Sequence, residues 1–412
     1  MAAKEIASGE SKDLRLTARV MVSALAVGHV GFHWILQSFV VVVPEIQQTF
    51  GLNGVGVGGI QAVRELTSGL ITLPGGVVVG MLRKWWAWLL AICVASSGLG
   101  SLLMGVSPAY PLLLFGVAVV SVSHSLWHLP AAASISHHFA SRRGSMLSFH
   151  GVGGSVGDVA GPLITGVLLL VMGWRGILSI YAVGPIFMAF IAVWVFKGIG
   201  GVRGEDVNTT GLTERLAMTK NLVKNPLLRG LTIVRGLRSM ALAAIVTLLA
   251  LYLGNDLDLG VLNRGFHISL LIAVGLLAKP IAGTVSDKLG RKQVLVPGLV
   301  WSCAIALLMV AFDDGVSLTV TIVLLGMFLY PDQPILTAAL FDVLDREEAT
   351  IGLGVVSFAS FLMAAVSPLI AGAIYEISGF QAGLYYVSGL FALAALVLAM
   401  LPLAKWEEDQ SM

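Results

Sequence analysis

The sequence predicts an all-α membrane protein whose twelve transmembrane helices form two parallel six-helix repeats. Three observations carry this. The chain is 57% hydrophobic and only 12% charged, whereas a soluble domain carries about a quarter charged residues. That excludes a large soluble enzyme. Apolar runs of bilayer-spanning length then follow one another with short gaps. Finally, landmarks recur at half the chain length. Pro162 in GPLITG and Pro368 in SPLIAG lie 206 apart (368 − 162), half of the 412 residues. Pro130 and Pro334 lie 204 apart (334 − 130), and Gly76 and Gly283 lie 207 apart (283 − 76).

A bilayer core requires about 20 apolar residues per helix. With that window the first helix falls at 17–44 and carries His29 and His33, and the second at 56–82 carries Arg64 and Glu65. The third, 85–104, opens on Trp85, Trp86 and Trp88, and the fourth, 110–139, carries His124 and His128. The fifth, 145–172, is glycine-rich and carries Asp158, and the sixth is 175–197. The polar stretch 198–228 then separates a first bundle, 1–197, from a second, 229–412. In the second bundle the helices fall at 229–253 (with Arg235 and Arg238), 264–285, 292–312, 316–343 (with Asp332 between Pro331 and Pro334), 349–375 and 380–403. Residues 1–16 are polar and the first apolar run is too long for a signal h-region, so no cleavable signal is expected. Cys93 and Cys303 sit inside apolar runs and read as packing rather than disulfide or zinc ligands. A formal charge of +2 gives no reason to expect nucleic acid as a partner.

Lys and Arg set the orientation. With the N-terminus inside, the inside segments hold Lys4, Lys12, Arg15, Arg19, Arg83, Lys84, Arg142, Arg143, the linker cations, Lys288, Arg291, Lys292, Arg346 and Lys405, while the outside loops hold only Arg175 and Arg264. Both termini are therefore expected in the cytoplasm of a bacterial-type plasma membrane. The three tryptophans are expected at the membrane interface. Asp342, Asp345, Glu347 and Glu348 read as solvated loop charges.

The segment after the eighth helix, AGTVSDKLGRKQ, places Gly283, Asp287, Gly290, Arg291 and Lys292 in the pattern G-x-x-x-D-x-x-G-R-[RK]. This resembles the loop motif of the major facilitator superfamily, and the twelve-helix topology is similar to that family over the whole chain. The resemblance implies a cytoplasmic gate in which Asp287 latches helices through nearby cations. The first-half copy has Gly80 where the Asp should stand, so any latch is expected to be lopsided toward the second half. Gly157, Gly161, Pro162 and Gly166 resemble the helix-five pattern G-x-x-x-G-P-x-x-G-G of the superfamily's proton-coupled exporters, with Thr165 replacing one glycine. Close helix packing explains those residues equally well. The run from WHLPAA to HGVGGSVGDVAGP resembles the fosmidomycin-resistance-like branch and is similar to the monocarboxylate-porter branch.

Ionisable groups in a bilayer are costly and face the bundle interior or a water-filled path. Helices one, four, seven and ten carry His29 and His33, His124 and His128, Arg235 and Arg238, and Asp332, whereas helices three, six, nine and twelve carry none at depth. The family resemblance implies that helices one, four, seven and ten line the central cavity. The two histidine pairs, each spaced i, i+4 on one helix face, have three readings: proton carriers, transition-metal ligands, or hydrogen-bonded cavity lining. No metal or other cofactor is assigned. Asp158 and Asp332, with Glu65, are the carboxylates expected to couple protons, the alternative for Asp158 being a pair with a His or Arg of a neighbouring helix. Arg235 and Arg238 are expected to hold a planar anion, the alternative being snorkelling to headgroups. Arg64 and Glu65, adjacent and about 100° apart on a helix, are each expected to pair with another helix.

The function expected is that of a monomeric secondary transporter. It moves a small organic anion by alternating access driven by protons, as symporter or antiporter, around a midplane site. Drug or multidrug efflux is the alternative within transport, and a non-transporting membrane receptor or scaffold the alternative outside it. The sequence has no phosphate-binding G-x-x-x-x-G-K-[ST] loop and no evident nucleophile–base pair, so neither ATP drive nor an enzyme is expected.

Overall fold

The computed structural model describes residues 2–139, 142–197, 199, 212–344 and 348–403. Most of the linker's first half (198 and 200–211), Arg346 and Lys405 lie outside the described residues. The described chain is helical, with no strand among the described residues. In order the helices are α1 (Ala2–Val41), the short α2 (Val43–Phe50), α3 (Gly54–Met81), α4 (Trp86–Val106), α5 (Tyr110–His138), α6 (Arg143–Leu168), α7 (Trp174–Val195), α8 (Leu212–Lys224), α9 (Pro226–Leu251), α10 (Val261–Leu289), α11 (Arg291–Leu308), α12 (Gly315–Leu329), α13 (Asp332–Phe341) and α14 (Ala349–Met400). The second half of the predicted linker is thus not featureless: it holds α8.

The boundaries follow local chemistry. Pro44 occupies the first turn of α2, and Gly51 ends it at φ 61°. The Asn225 side chain accepts hydrogen bonds from the Leu227 and Leu228 amides, and Pro226 opens α9 behind it, which satisfies N-terminal amides that have no intrahelical partner. Gly290 separates α10 from α11 at φ 100°. The bounds of α14 run over 52 residues, but Gly379 inside it has φ 79° and ψ −179°, a conformation open only to glycine. The predicted break between 375 and 380 falls there.

Among the described residues, ten stretches are long and apolar enough to cross a membrane. One of them, Ile351–Met400, spans 50 residues. Unbroken, it would run about 75 Å at 1.5 Å per residue, more than twice a hydrocarbon core of about 30 Å, so the kink at Gly379 divides it into two membrane-length pieces.

The helices form two compact units that interleave along the chain. The first comprises Met1–Ser38, Pro74–Gly161 and Arg175–Asp206, and the second Phe39–Leu73, Pro162–Trp174 and Val207–Met412. The first is built around Leu25, Phe32, Leu90, Trp127 and Ile135, all essentially fully buried. Trp86 belongs to this core and donates its indole N–H to the Val79 carbonyl at 2.8 Å. It therefore corrects the expectation of three interfacial tryptophans, since only Trp85 and Trp88 are exposed. Cys93 is buried as expected, whereas Cys303 is half-buried. In the second unit, residues 39–73 join α14 by backbone contact. A Cβ added to Gly54 would sit on the Gly372 carbonyl oxygen, and one added to Gly58 on that of Pro368.

The helix-five glycines pack against backbone in both units. A Cβ at Gly157 would lie 2.5 Å from the Val30 oxygen and 2.8 Å from the Trp34 nitrogen, and one at Gly161 2.9 Å from the Trp34 oxygen. In the second unit a Cβ at Gly166 would lie 2.8 Å from the Val261 oxygen, and one at Gly265 of α10 2.5 Å from that of Pro162. Small residues allow such close helix approach where no hydrophobic force drives association.

Candidate functional site

Two polar clusters sit within the helices, one in each unit. The first collects His29 and His33 of α1, His124 and His128 of α5, and His150 and Asp158 of α6. His33 donates Nδ1–H to Asp158 Oδ1 at 2.7 Å, with the two side chains 22% and 15% exposed. The His124 Nε2 atom lies 3.2 Å from His33 Nε2 and 3.0 Å from His128 Nε2. His29 donates Nδ1–H to the His150 carbonyl at 2.8 Å, stacks on the His150 ring at 4.3 Å and meets the His128 ring edge-on at 4.7 Å. The i, i+4 spacing of each α1 and α5 pair puts both rings on one face, so the two faces meet as a continuous imidazole surface. The carboxylate fixes one end of this chain, because it holds His33 in the tautomer whose Nε2 faces inward. Asp158 thus pairs with His33, a histidine of a neighbouring helix.

The second cluster collects Arg235 and Arg238 of α9 and Asp332 at the start of α13. Arg238 donates Nε–H to Asp332 Oδ2 at 2.7 Å, with the two side chains 4% and 1% exposed. It also donates from Nη2 to the carbonyl of Leu329, the last residue of α12. The predicted break in the tenth helix is present at Tyr330–Pro331, and the carbonyl before it is taken by Arg238. Arg238 is buried at 4% exposure and Arg235 is half-buried. The Arg235 Nη1 atom is buried and has no hydrogen-bond partner among the described residues, while the charges of Arg238 and Asp332 both act on Arg235. Glu65 of α3 lies within the reach of the Arg64 and Arg238 charges. Its hydrogen bond comes from Gln61 Nε2 at 2.7 Å, one turn earlier on its own helix, not from another helix as expected. Arg64 is half-buried.

Sequence reasoning missed three contributors. His150 was not singled out, although it stands eight residues before Asp158, two turns along the same helix. Lys279, the one cation inside the 264–285 run besides Arg264 at its start, was passed over. Its ammonium lies over the Tyr330 ring at 6.0 Å, and its charge acts on Asp332. Asp342, expected as a solvated charge, accepts from Arg291 Nε at 3.0 Å while remaining half-exposed.

That last contact belongs to the loop motif. Arg291 pairs with both Asp287 and Asp342, Lys292 Nζ donates to the Leu401 carbonyl at 2.7 Å, and Gly290 supplies the positive φ of the turn. Gly283 has open space around it. In the first-half copy, which lacks the Asp, Arg83 Nη2 donates to His137 Nε2 at 2.7 Å and the guanidinium lies 5.8 Å from the Trp86 ring.

Buried charge clusters in a bundle of membrane-length helices define a class, the secondary transporters. The sequence profile of the Major Facilitator Superfamily matches residues 25–278 and 231–410, and the chain belongs to that family. It is 22% identical over 278 residues to the fosmidomycin resistance protein of Escherichia coli, covering 67% of each chain. It is 21% identical over 410 residues to a probable hexose phosphate transport protein of Chlamydia trachomatis, covering 91% of this chain and 88% of that one. The fold is similar to that of a bacterial homologue of the human lysosomal transporter Spinster, in an inward-facing and occupied conformation. The TM-score there is 0.77 at 14% identity, covering 94% of this chain and 98% of the other. This membership sets the chain among transporters and not among enzymes.

Proposed function

We propose that this transporter moves a small organic anion, bound at the arginine cluster of the second unit, by proton-coupled alternating access. The charge count in that cluster carries the reading. Glu65 feels the charges of Arg64 and Arg238, Asp332 those of Arg238 and Lys279, and Arg235 those of Arg238 and Asp332, so four cations and two carboxylates are linked through Arg238, with two positive charges in excess (4 − 2). An uncompensated buried charge is expensive, and Arg235 holds an unpartnered guanidinium nitrogen ready to donate. A carboxylate, phosphonate or phosphate group neutralises the excess and accepts bidentate hydrogen bonds from a guanidinium. Protons are handled by Asp158 through His33 and the α5 histidines, and by Asp332, which Arg238 holds until substrate competes for that guanidinium.

The chain is read as spanning a bacterial plasma membrane twelve times, as a monomer, with bundles 1–197 and 229–412, the linker 198–228 and both termini cytoplasmic. The kink at Gly379 makes two crossings of α14, and the 28-residue α3 is long enough for another. The two outside cations do not weaken the orientation argument, because each is engaged locally: Arg175 with the Ser107 carbonyl at 2.7 Å, and Arg264 with Glu45.

The test is counterflow in proteoliposomes with labelled phosphonates, sugar phosphates and monocarboxylates beside neutral sugars and cationic dyes. Saturable transport of an anion is expected, lost in Arg235→Gln and driven uphill by a pH gradient in the wild type but not in Asp158→Asn. Transport confined to neutral or cationic probes, or anion transport unchanged in Arg235→Gln, overturns the reading.

A further inference from the structure

We propose that the histidine cluster of the first unit is a binding site for a divalent transition-metal cation, held by the Nε2 atoms of His33, His124 and His128 with His29 as the fourth donor. The inference uses none of the arginine-cluster residues that bind the anion, and the anion site stands if it fails; it shares Asp158, His33, His124 and His128 with the proton path, so a metal held there would exclude that path.

The tautomers are the first argument. His29 gives its Nδ1–H to the His150 carbonyl and His33 gives its own to Asp158. In both rings the lone pair is thereby fixed on Nε2, which in His33 faces His124 and in His29 is buried without a hydrogen-bond partner among the described residues. A ring N–H held by a carbonyl or carboxylate, with the other nitrogen presented as a base, is the usual support of a metal-bound histidine.

Spacing is the second. Zinc–imidazole bonds of about 2.0–2.1 Å arranged tetrahedrally place the ligand nitrogens about 3.3 Å apart. The His33–His124 and His124–His128 nitrogen separations are 3.2 and 3.0 Å, and the ligand atoms of His29, His33 and His128 all lie within 4.8 Å of one another.

The third argument is that protons alone satisfy this arrangement poorly. Both short contacts converge on the single Nε2 of His124, which offers one hydrogen or one lone pair, so together they form at best one shared hydrogen bond. His29 Nε2 is buried, in a residue only 7% exposed, and has no partner among the described residues. A cation at the centre turns these facing lone pairs into ligand bonds, with Asp158 as its nearby counter-charge. Four imidazoles favour zinc, cobalt, nickel or copper over calcium or magnesium, which take oxygen ligands. The partial exposure of His33 gives the ion an entry side.

The experiment titrates Co²⁺ into tag-free, detergent-solubilised full-length protein and follows visible d–d absorption, with thermal melting as the control for folding. Expected are the intense bands of a four-coordinate imidazole site saturating at one equivalent, their displacement by Zn²⁺, their loss in His33→Gln/His128→Gln, and a tenfold to hundredfold weaker affinity in Asp158→Asn. Absence of a saturable band, or a band retained in a double variant that melts like the wild type, overturns the proposal. Should the double variant not fold, X-ray absorption on the wild type with one equivalent of Zn²⁺ decides: three or four imidazole nitrogens at about 2.0 Å support the site, and fewer than three overturn it.

Discussion

Replacing Asp332 by Asn keeps the shape of the side chain and removes the charge that faces Arg238. The pair is closed from solvent, with exposures of 4% and 1% and an N–O distance of 2.7 Å. Two unit charges about 4 Å apart attract by about 4 kcal/mol at the effective dielectric constant of about 20 that suits protein sites. Removing one partner of a buried pair costs about 3–5 kcal/mol because the other is left uncompensated. Arg238 keeps its bond to the Leu329 carbonyl, which recovers part of the loss, so about 3 kcal/mol is expected for Asp332→Asn. The double variant Arg238→Met/Asp332→Leu leaves no orphan charge and should unfold within about 1 kcal/mol of the wild type, since apolar replacement of a whole buried pair is often neutral. The cycle is closed by the singles Arg238→Met and Asp332→Leu; with each costing about 3 kcal/mol and the double about 1, the coupling should be about 5 kcal/mol (3 + 3 − 1), measured by denaturant or thermal unfolding in one detergent. A transported anion should raise the melting temperature of Asp332→Asn more than that of the wild type, because it supplies the missing counter-charge. The reasoning is refuted if the single variant costs under about 1 kcal/mol or if the double variant costs the sum of the singles.

Three further outcomes are expected. Gly157→Ala drives a methyl against the backbone of Val30 and Trp34, which cannot yield as a side chain can, so melting should fall by about 1–3 kcal/mol. Trp86→Phe abandons the indole bond to Val79 inside the core and should cost about 1 kcal/mol, whereas Trp88→Phe, exposed, should stay within about 0.5 kcal/mol in the same melting assay. Arg291→Ala removes two partly solvated ion pairs, to Asp287 and Asp342. Each is worth about 0.2–1 kcal/mol, so stability should barely move while counterflow slows, and an unchanged rate would remove the gate role.

The helices were legible because twenty apolar residues in a row have few other uses, and because glycine and proline mark where such a run must stop. The break between 375 and 380 and the Pro331–Pro334 segment were readable for that reason. The polar residues at depth were readable as well, since an ionisable group within such a run stands out without knowledge of its partner. The partners were not readable. His33 and Asp158 are separated by 125 residues, and Arg238 and Asp332 by 94. Nothing in local periodicity joins them. His150 was lost because it lies near the basic turn and reads as a helix-end residue, and Lys279 because one cation in an apolar run resembles a flanking charge. Trp86 misled for the opposite reason. Three nearby indoles at a predicted helix start suggest an interface, and only the packing tells the one turned inward from the two turned outward.

The backbone contacts of the second unit bear on how fast a transporter of this kind can work. Where α3 meets α14 at Gly54–Gly372 and Gly58–Pro368, glycines lie directly on backbone, and the Gly54 amide donates to Glu376 Oε2 at 2.9 Å. Parting a joint of interdigitated side chains requires rotamers to reorganise before the helices separate, and each such step adds to the activation barrier. Bare backbones slide apart without that step and wet little apolar surface as they go. Such a seam has one closed position, because a glycine on a carbonyl has only one way to fit. A methyl group at Gly54 or Gly372 would therefore be expected to prop the seam open, shifting the balance between its closed and open states before it harms the helices themselves.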